Sequence, residues 1–241
     1  QGVDVVFGLH INSQTPIGTI GYKPGGTMAS ANRFTINVKG KQVHGAYPWN
    51  GVDPIVTAAQ IINGLQTIVS REMKLINEGA VVTIGSIHGG VRSNIIPEEV
   101  MLDGTFRALD PDMRDQIEAA IIHKATKIAE SMNAEAEVKI HFGYPITYND
   151  PALTEKMLPS LQAAAGVENV KLRKAVTGAE DFSYFSNEVP GLYFFLGGMP
   201  EGTTAEEAPA HHTPDFYVDD SRLEVGVKAM AMLTVDYMLQ N

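Results

Sequence analysis

Cysteine is absent from the 241-residue sequence. That excludes a disulfide framework and any thiolate nucleophile, so a transition-metal site here would have to be built from histidine and carboxylates. Positive charge is scarce: 18 Lys and Arg stand against 28 Asp and Glu, for a formal net charge of -10. With no basic stripe to neutralise phosphates, a nucleic-acid partner is not expected. Long apolar runs are missing too, and none approaches the roughly 20 residues that span a bilayer, so no membrane partner is expected either. What is present is 44% hydrophobic residues, enough for one large core or two smaller ones. The opening lacks a starting Met, a polar lead-in and a signal-peptide pattern, and begins on GVDVVFGLH. An apolar run at that place reads as the middle of a core element and predicts a fragment, with its N-terminal part and any targeting signal elsewhere. The compartment, cytoplasmic or periplasmic, stays open.

Periodicity organises the rest. Residues 3–9 form a short continuous apolar run, as in a strand buried on both faces. Residues 13–26, with Pro16, Gly18, Pro24, Gly25 and Gly26, read as a loop crossing between domains. Alternating patterns predict strands at 33–38, 80–87, 99–108 and 134–142. Helical spacing predicts helices at 53–71 and 110–132, each opened by Asp-Pro. The order βαββαβ is the ferredoxin-like arrangement, two helices on one face of an antiparallel sheet. Beyond residue 144 a helix at 151–165, strands at 170–172 and 189–198, and a helix at 221–239 alternate β and α, as in layers added to a mostly parallel sheet. The expected organisation is α/β: residues 1–26 and 145–241 belong to one larger domain, and residues 27–144 are an insertion.

Histidines are the first candidates for chemistry. His10 follows directly on a buried strand, where open α/β sheets place their ligands. A half-buried imidazole bonded to backbone fits the same position. His211 and His212 precede Thr-Pro, whose rigid backbone could hold a ligand, although a solvated loop explains them equally. His44 lies in a loop beside Tyr47 and Trp49, as a substrate contact or a packed loop residue. His123, facing outward on the second helix, His88, ending a strand, and His141, opposite Ile140 and Phe142 in its strand, are not expected to be ligands. Glu180 and Asp181 could bind metal, orient a histidine or cap a helix, and capping alone accounts for Asp181. Arg107 offers a planar fork for a carboxylate, or a surface ion pair. Asn94 lies in the same inserted unit.

In order along the chain, VVFGLH, GGTMAS, GKQVHGAYPWNGVDP, SREM, GSIHGGVRSNIIPEEVMLDGTFR, TGAEDFSYF and AHHTPDF resemble the di-metal amidohydrolase family of aminoacylases, hippurate hydrolases and indole-acetyl-amino-acid hydrolases. Each segment is weak alone, but the ordered set covers nearly the whole chain. The resemblance implies a hydrolase-like catalytic α/β domain carrying an inserted ferredoxin-like lid, the lid serving for homodimerisation. It implies two divalent metal ions (Mn2+, Zn2+, Co2+ or Ni2+), with His10 and His212 as ligands and His211 as a neighbour. His44 matches the lid histidine that reaches a partner's site and stabilises the tetrahedral intermediate. Asn94 and Arg107 match lid residues near the substrate, and Glu180 falls beside the metals. The implied reaction is amide hydrolysis of a small N-acyl amino acid (N-acetyl, N-benzoyl or similar).

The sequence departs from the family at the lid histidine, where GGHAAMPH is common and QVHGAYPW stands here, Trp49 replacing a frequent His. The family's CGHD-type motif and its Glu-Glu pair do not occur ahead of His10. A catalytic metal usually needs three protein ligands, so the 241 residues alone are expected to bind metal weakly and hydrolyse nothing. Two other readings stay open: a dipeptidase or aminopeptidase of the same two-domain plan, and a non-catalytic dimerisation module.

Overall fold

The computed structural model describes residues 2–76 and 78–240. They divide into two compact units: residues up to Met28, Thr147–Val176 and those from Glu180 on form the first, and Ala29–Ile146 with Thr177–Ala179 form the second. The first unit begins with β1 (Val6–Pro16), β2 (Ile20–Tyr22) and β3 (Gly25–Met28). The second contains β4 (Asn32–Lys39), β5 (Val43–His44), α1 (Pro54–Thr67), β6 (Ala80–Gly89), β7 (Ile95–Ile96), β8 (Glu99–Ala108), α2 (Pro111–Ser131) and β9 (Glu135–Phe142). The first then resumes with β10 (Thr147–Asn149), α3 (Pro151–Ala165), β11 (Val170–Leu172), α4 (Phe182–Ser186), β12 (Gly191–Met199) and α5 (Leu223–Leu239). Among the described residues no helix is long and apolar enough to cross a membrane.

In the second unit an antiparallel sheet runs in the order β6-β8-β4-β9. Alternation puts Phe34, Ile36 and Val38 of β4 on one face with Val100, Leu102 and Phe106 of β8. That face is covered by the apolar stripes of the two long helices, Ala58, Ile61 and Leu65 of α1 and Ile117, Ile121, Ala125 and Ala129 of α2. Asp53 and Asp110 cap these helices as their Asp-Pro openings predict, accepting from the amides of Ile55 and Met113 at 2.9 Å each. The predicted helix through residue 71 is not uniform: the α-helix ends at Thr67 and Ile68–Glu72 continue as a π-turn. A separate two-residue ladder pairs β5 with β7.

In the first unit the sheet order is β1-β12-β2-β11. β1 runs parallel to β12 and β2 parallel to β11, but β12 and β2 are antiparallel. The sheet is therefore mixed rather than mostly parallel. Every residue of β12 is buried, which explains the unbroken LYFFLGG run. Leu192, Phe194 and Leu196 pack with α3 and α5 on one face, and Tyr193 and Phe195 with Met28, Val176 and Phe182 on the other. The stretch expected as a loop, residues 13–26, is largely strand. β1 continues through polar Asn12-Ser13-Gln14-Thr15 to Pro16, and β2 and β3 follow. Polar side chains conceal this because their partners lie some 190 residues away in sequence.

One glycine of β1 is dictated by packing. Gly8 sits opposite Tyr193, and a Cβ there would lie 2.7 Å from both Phe182 Cδ2 and Tyr193 Cδ2. The two rings occupy the space a side chain would need. Gly8→Ala should therefore destabilise the chain by about 1–3 kcal/mol, the usual range for overpacking a filled site. Urea unfolding measures it, and an unchanged midpoint would show that the rings move aside freely.

Candidate functional site

His10 stands two residues after Gly8 on the same side of β1, opposite Phe195, with the two rings 6.0 Å apart. Its Nδ1 donates to the Ile11 carbonyl. A carbonyl can only accept, so this bond fixes the tautomer and leaves Nε2 as a lone pair, the arrangement in which an imidazole binds metal.

Glu180 is held at both carboxylate oxygens. The Tyr193 hydroxyl donates to Oε2 at 2.8 Å, and the Asp181 amide donates to Oε1 at 3.0 Å. Burial pushes this carboxyl up, but hydrogen bonds from Tyr193, Asp181 and the Phe182 amide, with the charge of His10, outweigh it and hold the group below the ordinary glutamate value. Burial and then the Glu180 carboxylate push the Tyr193 hydroxyl upward, so it stays a proton donor at neutral pH. The hydrogen bond to Glu180 and then burial raise Asp181. Asp181 occupies the N-cap of α4 but makes no side-chain cap bond, contrary to the capping expectation. Its neighbour Glu180 makes the local bonds instead, including a carbonyl that accepts from Ser183 Oγ at 2.6 Å. The sequence alone does not single out Tyr193. The available signal was its hydroxyl within an otherwise apolar strand, which needs a partner when buried.

The structure brings His10 against His211, ring centroids 5.2 Å apart and edge-on. His211 Nε2 accepts the Ser13 amide at 3.2 Å. Burial, then the charges of His10 and His212, hold this imidazole below its ordinary pKa and favour the neutral form that such acceptance requires. His212 follows on the surface, its ring 6.5 Å from that of His211. Its φ of 62° is left-handed; among the described residues only Asn133 shares this without being glycine. Such a backbone is uncommon and concentrates at functional positions. Among the described residues no three or more His, Asp or Glu side chains are grouped so as to hold a metal ion. Among the described residues the donors thus fit one side of a metal site, with His10 Nε2 left as an acceptor, and do not complete one.

In the second unit, the β5–β7 ladder joins His44 to Ile95, and the Gly45 amide donates to the Asn94 carbonyl at 2.8 Å. His44 and Asn94 are thereby brought together, both exposed. The Ala46 amide donates to His44 Nδ1 at 3.1 Å, so the neutral ring carries its proton on Nε2 and presents a donor outward. The His44 ring contacts Tyr47, centroids 5.5 Å apart, and Tyr47 contacts Trp49. Arg107 donates to the Thr177 carbonyl at 2.8 Å. It lines a depression of about 590 Å3 on the sheet face away from the helices, with Arg33, Asp103, His141, Phe142 and Tyr144. His88, His123 and His141 are exposed.

A family model described as the M20 peptidase dimerisation domain matches residues 29–133. The chain is 37% identical to an N-acetyldiaminopimelate deacetylase of Listeria innocua, covering 90% of this chain and 58% of that protein. It is 35% identical to thermostable carboxypeptidase 2 of Saccharolobus solfataricus, covering 98% of this chain and 59% of that one. A Bacillus subtilis structure described as a dinuclear metal binding peptidase of the M20 family superposes with a TM-score of 0.77 at 31% identity, over 98% of this chain and 58% of that one. A structure from methicillin resistant Staphylococcus aureus reaches a TM-score of 0.92 at 30% identity, over 98% of this chain and 60% of that one. The chain thus spans about three fifths of these relatives. Over nearly its whole length it is thus similar in sequence to deacetylases and in fold to a peptidase of the M20 family, and its residues 29–133 match the model of the M20 dimerisation domain.

Proposed function

We propose that this chain is part of a metal-dependent amidohydrolase that cleaves N-acyl amino acids into a carboxylate and an amino acid. The observation that carries the reading is His10. Its Nδ1 is committed to backbone, which leaves Nε2 as an acceptor, and Glu180, itself held at both oxygens, lies within its electrostatic reach.

In this reading His10 and His212 hold a divalent cation together with donors that the described residues do not supply. A cation so held would lower the pKa of a bound water to about 7. Glu180 keeps the His10 imidazole in a negative field, and Tyr193 keeps that carboxylate in place. His44, with Nε2–H outward, is suited to donate to an oxyanion, a contribution typically worth about 3 kcal/mol in such sites. Arg107 offers its guanidinium to the amino-acid carboxylate, with Asn94 as a further polar contact. Residues 29–133 mediate pairing of two copies.

The reading is tested on the intact gene product containing this chain, with N-acetyl, N-benzoyl and indole-acetyl amino acids set against dipeptides. N-acyl amino acids should be the better substrates. His10→Ala and His212→Ala should each lower kcat/KM by about 100-fold or more, since the cation is lost with its ligand. Preference for dipeptides would favour the peptidase reading, which the carboxypeptidase relative keeps in view. The 241-residue chain alone should show no turnover with any of them, and metal-dependent amidase activity from it would refute the incomplete-site argument. For pairing, sedimentation equilibrium of this chain should give a dimer; a monomer at micromolar concentration would remove the dimerisation role.

A further inference from the structure

The paired histidines leave open which is the ligand, and the geometry assigns them different tasks. The β1–β12 register runs evenly from Val6 to Asn12 and then shifts before Pro16. Ser13, 0% exposed, lies in the irregular stretch. A buried amide there needs an acceptor, and the acceptor is His211 Nε2 at 3.2 Å, 198 residues along the chain. The same serine ties the loop a second time, its Oγ donating to the Pro209 carbonyl at 2.7 Å. Gln14 adds a third bond, Nε2 to the Ala205 carbonyl at 3.0 Å. The His211 ring is wedged between His10 at 5.2 Å and Phe216 at 5.0 Å. On the far side of His212, Thr213 Oγ1 donates to the Ala210 carbonyl at 2.8 Å. His212 is therefore the left-handed residue of a turn anchored on both flanks.

We propose that His211 is a positioning residue, a clasp that fastens residues 205–213 to β1 and so delivers His212 to the cation that His10 binds. With Nε2 accepting the Ser13 amide, the neutral ring carries its proton on Nδ1 and has no lone pair left for a metal. The consequence for metal rests on the functional reading above; the clasp itself does not.

The test uses the intact gene product containing this chain, with Co2+ alone as the probe and hydrogen exchange at the Ser13 amide as an independent readout. Glutamine can place an acceptor oxygen where the imidazole Nε2 stands, so His211→Gln separates a clasp from a ligand. In His211→Ala the Ser13 amide should exchange at least ~10-fold faster, and Co2+ affinity should fall by about 10- to 100-fold, the range for removing a group that supports a ligand. His211→Gln should keep both near wild type, while His10→Ala and His212→Ala should abolish Co2+ binding. Unchanged Ser13 exchange in His211→Ala overturns the proposal. So does a His211→Gln chain that keeps amide protection yet loses Co2+ as fully as His211→Ala, because His211 would then be the ligand. If wild type does not bind Co2+, or binds it regardless of His10 and His212, the metal-centre reading fails. The clasp is then decided by Ser13 exchange alone.

Discussion

The parallel pairing of β1 with β12 is the constraint on which the first unit depends. It sets Gly8 opposite Tyr193 and His10 opposite Phe195. The first pairing gives the tyrosine ring its space, and the ring's hydroxyl then pins Glu180. The second places the histidine at the strand position from which an imidazole can face a ligand. A one-residue slip of β1 would turn His10 to the opposite face, among the apolar residues that pack with α3 and α5. Site geometry and core packing are therefore two results of one ladder.

Backbone groups also decide what each imidazole can do. The Ile11 carbonyl makes His10 an acceptor at Nε2, the Ala46 amide makes His44 a donor at Nε2, and the Ser13 amide occupies His211. Three identical side chains thus acquire three chemistries from neighbours that carry no charge. The neighbouring carboxylates are separated in the same way. Glu180 is lowered by donors at both oxygens, and Asp181, beside that charge, is raised.

Much of the second unit is legible in the sequence, because its strands alternate cleanly and its helices open on Asp-Pro. Amphipathic period and capping chemistry are local properties, and they place β8 at its observed bounds and α2 within one residue of them at each end. The polar half of β1 is not legible. Its serine and glutamine look solvated until the loop at residues 205–211 is beside them. Three-residue strands such as β2 and β11 owe their existence to the sheet they complete, and the antiparallel step between β12 and β2 leaves no trace in either segment. Among the proposed site residues, His10, Glu180, His44, Asn94 and Arg107 come from residue type and family order. The separate task of His211 does not, since it depends on a buried amide in an irregular part of the ladder.

The same ladder joins Val6 to Gly191, with the entire second unit between them in sequence. Closing so long a loop carries an entropic cost that grows only with the logarithm of its length. The delay in time is larger. During synthesis β1 emerges before β12 and cannot form this ladder until β12 has left the ribosome, by which time nearly all of the second unit, from Ala29 to Ile146, is complete in the nascent chain. A strand edge left without its β12 partner for that interval is a site for misassociation. Efficient production of this fold therefore favours early condensation of the segment between the two strands, or a chaperone that shields the exposed edge of β1 until its late partner arrives.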